Sequence, residues 1–184
     1  MSGLSQIDKL YPTPDPDYPE FLPAHPKNAH IDWMAFMAYV EEGRPDQPST
    51  YNFYLRAQGR VDAVWLNGIA QPLVSPALRE VMHDVAGEDL DFLPVAVNEE
   101  PYWLMRVQTR IDALDPDASQ FNRGSRGNIK TIQRAVWLSD RITDPKMFTI
   151  PQTPRSIWAT PSVADAYRSS GCTGLNFGPY GEVV

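Results

Sequence analysis

A chain of 184 residues with 42% hydrophobic and 21% charged residues has the composition of a water-soluble globular protein and is long enough to bury a sizeable core. Its single cysteine, Cys172, excludes an internal disulfide framework and a cysteine-rich zinc site, and three histidines leave little for a histidine-based metal site. The formal net charge of -7 argues against a protein that binds the phosphates of nucleic acid.

The N-terminal segment is rich in proline. Its first residues lack the basic and apolar regions of a secretion signal, and no run in the chain approaches about 18 apolar residues, so we expect a cytoplasmic protein without a membrane span. Six prolines between residues 10 and 30 exclude helix and sheet interiors, because proline lacks an N–H and has a fixed φ. We predict that residues 1–30 form an extended arm, with a ligand for another protein module as the alternative, and that residues 31–184 form a single domain.

Hydrophobic periodicity predicts helices and strands between residues 31 and 111. An apolar stripe at helical spacing marks the first helix, and Ser75 followed by Pro76 is typical of a capped helix start. Alternating apolar residues mark strands, the first two of them joined by a turn at Gly59. We predict helices over 31–42 and 76–86 and strands over 51–56, 61–66, 90–97 and 102–111.

The last third of the chain begins with a polar, glycine-bearing stretch. This composition predicts a long loop over residues 112–130. Beyond it we predict strands over 132–138, 147–150 and 157–159 and a helix over about 161–170.

A repeat links two parts of the chain. Residues 75–94 match residues 160–179 at a constant offset of 85, so that Ser75-Pro76 aligns with Thr160-Pro161 and Leu90-Asp91-Phe92 with Leu175-Asn176-Phe177. The pattern in each copy predicts a capped helix followed by a strand. The expected fold class is α+β, an antiparallel or mixed sheet with a few packed helices and this internal helix-strand repeat.

The chain carries no strong catalytic motif. It lacks a nucleophile elbow, a Walker loop and a dinucleotide fingerprint, so we assign no catalytic, cofactor-binding or metal-binding residues. An enzyme of unrecognised type remains an alternative, centred on Cys172, His83 or the acidic pairs such as Asp115 and Asp117.

Several segments in this order carry a family resemblance: Ser75-Pro76, Leu90 to Val95, Tyr102 to Val107, Ala135 to Leu138, Ile157 to Pro161 and Gly174 to Tyr180. Over about residues 60–181 the chain resembles immunity protein family 11 of bacterial polymorphic toxin systems, and the related family 43. The resemblance implies a small cytoplasmic α+β protein that binds a cognate toxin domain and blocks it. The family supplies no catalytic residues, and the resemblance implies no cofactor.

The charge layout suggests where a toxin would bind. Residues 1–102 carry a balance of -10 and residues 103–184 one of +3. Toxins that attack nucleic acids tend to be basic, so an acidic surface would steer them and cover the substrate channel. The acidic candidates are Glu88, Asp89, Asp91, Glu99 and Glu100, with Tyr102 as an aromatic anchor.

Other readings of the surface stay open. A basic loop around Arg123 and Arg126 is the second candidate surface. A solvated acidic face that keeps the protein soluble is the simpler interpretation of the acids. An adaptor that binds another protein through the proline-rich arm is a third hypothesis for function.

Overall fold

The computed structural model describes residues 4, 6–12, 33–42, 51–54, 61–65, 69–142 and 147–184. In these residues three α-helices are present: α1 (Trp33–Glu42), α2 (Pro76–Ala86) and α3 (Pro161–Ser170). The strands are β1 (Asp8–Pro12), β2 (Tyr51–Phe53), β3 (Ala63–Trp65), β4 (Pro72–Val74), β5 (Leu90–Val97), β6 (Glu100–Val107), β7 (Gln120–Arg123), β8 (Ile129–Arg134), β9 (Val136–Trp137), β10 (Met147–Ile150), β11 (Thr153–Ala159), β12 (Leu175–Pro179) and β13 (Glu182–Val183). The expected α+β class is confirmed.

Two larger sheets organise the described residues. One has five strands in the order β2-β5-β6-β4-β3, and the other has four in the order β10-β11-β1-β12. Most pairs are antiparallel, but β2 runs parallel to β5, and β13 runs parallel to β9 in a separate two-stranded sheet. None of the described helices is long and apolar enough to span a membrane.

The two larger sheets share a local arrangement. In the first, β4 and β5 lie on either side of β6 and α2 connects them. In the second, β11 and β12 lie on either side of β1 and α3 connects them. The helices start at Pro76 and Pro161, and the strands that follow start at Leu90 and Leu175. Each helix therefore bridges two parallel strands that an antiparallel strand separates.

The starts of α2 and α3 follow from local sequence. Ser75 has an extended backbone and its hydroxyl accepts a hydrogen bond from the N–H of Leu78 at 3.3 Å, which satisfies one of the free donors of the first turn. Thr160 also precedes a proline, but its hydroxyl lies 3.0 Å from that of Ser162 and makes no capping bond to the helix backbone. The helix ends differ as well, because Gly171 takes a left-handed conformation after α3.

The described residues form three apolar clusters, which pack on the faces of the two larger sheets. In β6, Tyr102 and Leu104 pack in the cluster that contains Phe36 of α1, whereas Met105 and Val107 pack in the cluster between the sheets. The cluster between the sheets also holds one face of α2 and one face of α3. A third cluster around Trp137 and Trp158 covers the outer face of the four-stranded sheet. Alternation with period two thus directs the apolar residues of β6 into two clusters on opposite faces of the sheet.

The N-terminal residues contribute to a sheet. Strand β1 pairs with β11 through Leu10 and with β12 through Pro12. Pro12 has a partner on one side only, which is compatible with its missing N–H. Residues 13–32, which hold most of the predicted arm, lie outside the described residues, and the division at residue 30 stays a prediction.

Three expectations from the sequence are wrong. The segments at 51–56 and 61–66 do not form a hairpin, because β2 and β3 lie at opposite edges of the five-stranded sheet; Gly59 itself lies outside the described residues. Residues 112–130 are not one long loop, because Gln120–Arg123 and Ile129–Arg134 pair as an antiparallel hairpin. The strand predicted over 102–111 ends at Val107, and Arg110 forms an isolated bridge with Thr149 of β10.

Candidate partner-binding surfaces

The acidic stretch that is continuous in the sequence is divided in the structure. Glu88 lies in a 3-10 turn (Gly87–Asp89) before β5, whereas Glu99 and Glu100 lie after it. Strand β5 has eight residues and spans about 24 Å at ~3.4 Å per residue. The exposed acids therefore form two separate groups at opposite ends of one strand, not one patch.

Two of the predicted contact residues belong to the interior. Asp89 is 8% exposed, and its carboxylate accepts hydrogen bonds from Thr109 Oγ1 at 2.7 Å and from the N–H of Met147 at 3.0 Å. Tyr102 is 6% exposed, and its hydroxyl donates to the carbonyl of Val61. Both side chains hold the fold together and are not available as contacts for a partner, which corrects the prediction for these two residues.

Asp91 is half-buried and already has an internal partner. Its carboxylate lies 3.7 Å from the guanidinium of Arg106, on the neighbouring strand, and it accepts a hydrogen bond from the N–H of Phe92 at 2.9 Å. Its negative charge is partly compensated, so it contributes less to an acidic surface than Glu88, Glu99 or Glu100 does.

The turn between β5 and β6 presents two of the acids. Val97 pairs with Glu100, which leaves a two-residue loop of Asn98 and Glu99. Both loop residues have positive φ, 51° and 69°, as a tight hairpin of this length requires. Asparagine tolerates this conformation, but for glutamate it costs about 1–2 kcal/mol. Glu99 is exposed, so a charged side chain stands at a turn position that favours glycine.

The β7–β8 hairpin carries the predicted basic residues. Residues 118–139 contain four basic residues and no acidic residue, and most side chains of both strands are exposed. The guanidinium of Arg123 donates to the carbonyl of Gly127 at 3.0 Å and lies 5.5 Å from the centre of the Phe121 ring. Arg126 is exposed in the turn. The hairpin therefore presents a positive surface with one arginine fixed in place.

The residues considered for catalysis are placed as ordinary structural or surface groups. Cys172 is a free thiol, half-buried against the cluster between the sheets. His83 is exposed on α2, with its Nδ1 3.8 Å from the Asp84 carboxylate. Asp115 accepts hydrogen bonds from the N–H groups of Ala118 and Asp117, and these bonds hold the pKa of its carboxyl below the usual range. This carboxylate shapes a turn.

The described part of the chain has no group of side chains suited to bind a metal ion. No three histidine, cysteine, aspartate or glutamate side chains lie close enough together there to hold a metal ion.

One feature was missed by the sequence reasoning. A cavity of about 400 Å³ is lined by Arg106, Arg110 and Arg155, which come from the end of β6, the segment after it and β11. Nothing local in the sequence joins Arg155 to the other two, so only the pairing of the strands brings them together.

A family model described as Immunity protein family (Imm11) matches residues 15–182, which is nearly the whole chain. No individual curated protein matches it.

Proposed function

Since the chain belongs to the Imm11 immunity protein family, we propose that it neutralises a cognate bacterial toxin by direct, stoichiometric binding. The observation that carries the proposal is the family match over residues 15–182. In this proposal the chain acts in the cytoplasm as an inhibitor, transforms no substrate and takes no cofactor. An inhibitor of this kind needs a rigid exterior with complementary charge and anchoring contacts, not a reaction centre.

The acidic residues proposed to contact the toxin are Glu88 at one end of β5 and the pair Glu99 and Glu100 at the other end. All three side chains are exposed. The hairpin pairing of β5 with β6 fixes the backbone of the turn that holds Glu99 and Glu100, and the N–H of Glu99 lies 3.4 Å from the side-chain oxygen of Asn52. The conformational cost of glutamate at this position supports a use for the carboxylate outside the fold. A basic toxin is the partner that such a surface would attract.

The second proposed surface is the basic hairpin, with Arg123 and Arg126. Positive and negative surfaces on one inhibitor fit a toxin that carries both charges around its active site. We propose that the acidic residues and the basic hairpin contribute separately to the free energy of toxin binding. Charge changes in the two should therefore have additive effects on that binding free energy.

Co-expression tests the function directly. The toxin domain encoded beside the gene for this chain should kill cells when produced alone and should be tolerated when the chain is produced with it. The purified pair should elute together in size-exclusion chromatography. Cell death in spite of a well-expressed chain, or two separate elution peaks at micromolar concentrations, would contradict the proposal.

The turn allows a test that separates binding from folding. Glu99→Gly should raise the melting temperature slightly, because glycine adopts positive φ without cost, and should slow association with the toxin. Asn98→Gly is the matched control, because it also places glycine at a positive-φ position of the same turn and keeps the carboxylate. If both variants associate at the rate of the unmodified chain, the turn does not contact the toxin.

A further inference from the structure

The cavity of about 400 Å³ is the strongest feature that the two charged surfaces leave unexplained. Its walls are α1, the segment before β4, the end of β6 and strands β10 and β11. A cavity of this size accommodates a side chain with its adjoining backbone and is larger than a single ion needs.

Three arginines line the cavity, and their side chains have hydrogen-bond donors to offer. Arg110 and Arg155 are exposed, and neither side chain makes a hydrogen bond or ion pair with the residues that the structure describes. The side chain of Arg106 is only 16% exposed, yet its partner Asp91 is 3.7 Å away, longer than the ~2.7–2.9 Å of a good charge-assisted bond. A charge so far removed from water gains from a second partner.

The charge balance of the lining favours an anion. Glu41 is the one acidic residue among the described residues that line the cavity, and it is exposed on α1. Asp91 compensates part of the charge of Arg106 from outside the lining. The remaining positive charge belongs to arginine, whose planar group pairs with a carboxylate through two parallel hydrogen bonds.

The neutral part of the lining adds a second requirement. Gln71 is 8% exposed, and its side-chain oxygen is buried without a hydrogen-bond partner among the described residues. A buried acceptor of this kind is satisfied by a ligand that brings an N–H group. Met37, Val40 and Ile69 offer apolar contact for methylene groups, and no aromatic ring in the described lining is present to stack on a base.

We propose that this cavity binds an acidic side chain together with its neighbouring backbone amide, presented by a segment of the toxin. The carboxylate pairs with the arginines, the amide N–H donates to Gln71, and the methylene groups contact the apolar wall. This inference rests on the proposed function, because the toxin supplies the segment.

Small probes test the chemistry without the toxin. The ¹⁵N-labelled full chain is titrated with N-acetyl-glutamate amide, N-acetyl-glutamine amide and inorganic phosphate, and amide shifts at Gln71 and Val107 are followed by NMR. The glutamate probe should bind at least about tenfold more tightly than the neutral glutamine probe. Equal shifts from these two probes, or tighter binding of phosphate at the same residues, would overturn the proposal.

Variants locate the site. Arg155→Gln should weaken the glutamate probe by about tenfold and leave the melting temperature unchanged, because this side chain has no described partner. Arg168→Gln is the control, since Arg168 pairs with Asp165 on α3 and does not line the cavity. Gln71→Met should raise the melting temperature and weaken the probe, because it removes a buried acceptor that only the ligand satisfies. Unaltered probe affinity in both Arg155→Gln and Gln71→Met contradicts the proposal.

Addition of the toxin domain separates this inference from the proposed function. Displacement of the glutamate probe from the preformed cavity by the toxin is the expected result. A toxin complex in which the probe remains bound refutes the inference and leaves the inhibitor function intact. Failure to form any complex refutes the function itself.

Discussion

Replacing Asp89 with alanine tests the assignment of this residue to the interior. Asp89 and Glu88 are adjacent acids with opposite environments: the first is buried and the second is exposed. The Asp89 carboxylate joins the two larger sheets, because it accepts from the N–H of Met147 at the start of β10 and from Thr109, which follows β6. Glu88→Ala is the matched control, with the same loss of charge one residue away.

The expected loss of stability is worked from two donors that Asp89→Ala leaves behind, the N–H of Met147 and the hydroxyl of Thr109. Met147 is fully buried, so its N–H cannot bond to water instead, and leaving it without an acceptor lowers the free energy of unfolding by about 1–3 kcal/mol. Thr109 is half-buried and its hydroxyl can turn toward solvent, so its share is about 1 kcal/mol. The sum of about 2–4 kcal/mol corresponds to a fall in melting temperature of roughly 6–12 °C for a chain of this length. Glu88→Ala should change the melting temperature by less than about 2 °C.

Thermal unfolding followed by circular dichroism, with both variants at one pH and salt concentration, measures these shifts. The toxin affinity of Asp89→Ala, taken well below its melting temperature, should match that of the unmodified chain. Equal melting temperatures for Asp89→Ala and Glu88→Ala would refute the reasoning, and so would a loss of toxin affinity in a fully folded Asp89→Ala protein.

Three further predictions concern single residues. Ser75→Ala should lower the free energy of unfolding by about 1–3 kcal/mol, because it removes the helix cap and the hydrogen bond that the buried Ser75 hydroxyl donates to Asp62 at 2.7 Å. Thr160→Ala should lower it by less, since Thr160 makes no such cap; urea titration compares the two variants. The folded-state pKa of Asp115 is lowered, so its carboxylate stabilises the fold above the unfolded-state pKa, and this contribution disappears as pH falls through the folded-state pKa; Asp115→Ala should therefore make the stability curve shallower on the acid side. Gly174→Ala should lower the melting temperature more than Gly127→Ala, because both have positive φ but only the first would place a Cβ 2.5 Å from the Ala63 carbonyl.

Helix positions were predictable because their signals are local. The apolar stripe, the serine before Pro76 and the proline that opens each later helix all lie within a few residues of the element that they define. The structure confirms α1, α2 and α3 within two residues of the predicted ends. The strand over 90–97 is also confirmed, since it alternates between two apolar clusters and is long enough for the alternation to show.

Strand partners were harder to predict because they depend on distant residues. Strand β2 has only three residues, and its neighbour in the sheet is β5, with Tyr51 opposite Val95. Nearness in sequence favoured a hairpin with β3, which instead pairs with β4. The β7–β8 hairpin has no strand signal in the sequence, because most of its side chains on both faces are exposed and it lacks the alternation that identifies a half-buried strand.

The surfaces could be predicted only in part. The sequence shows which residues are acidic or basic, but the fold decides which of them reach solvent. The adjacent acids Glu88 and Asp89 illustrate this, because the first is exposed and the second is buried. The arginine-lined cavity had no local signal, because Arg155 is distant in sequence from Arg106 and Arg110. Such sites arise from the packing of the two sheets and are visible only in three dimensions.

The stoichiometry of inhibition tests the central claim most directly. Residual activity of a fixed amount of the purified toxin domain is measured after incubation with increasing amounts of the chain, at toxin concentrations well above the dissociation constant. Inhibition by direct binding predicts that activity falls in a straight line and reaches zero at a fixed molar ratio, unchanged by longer incubation. Complete inactivation by a small fraction of that amount, growing with time, would show that the chain acts catalytically on the toxin and would contradict the account.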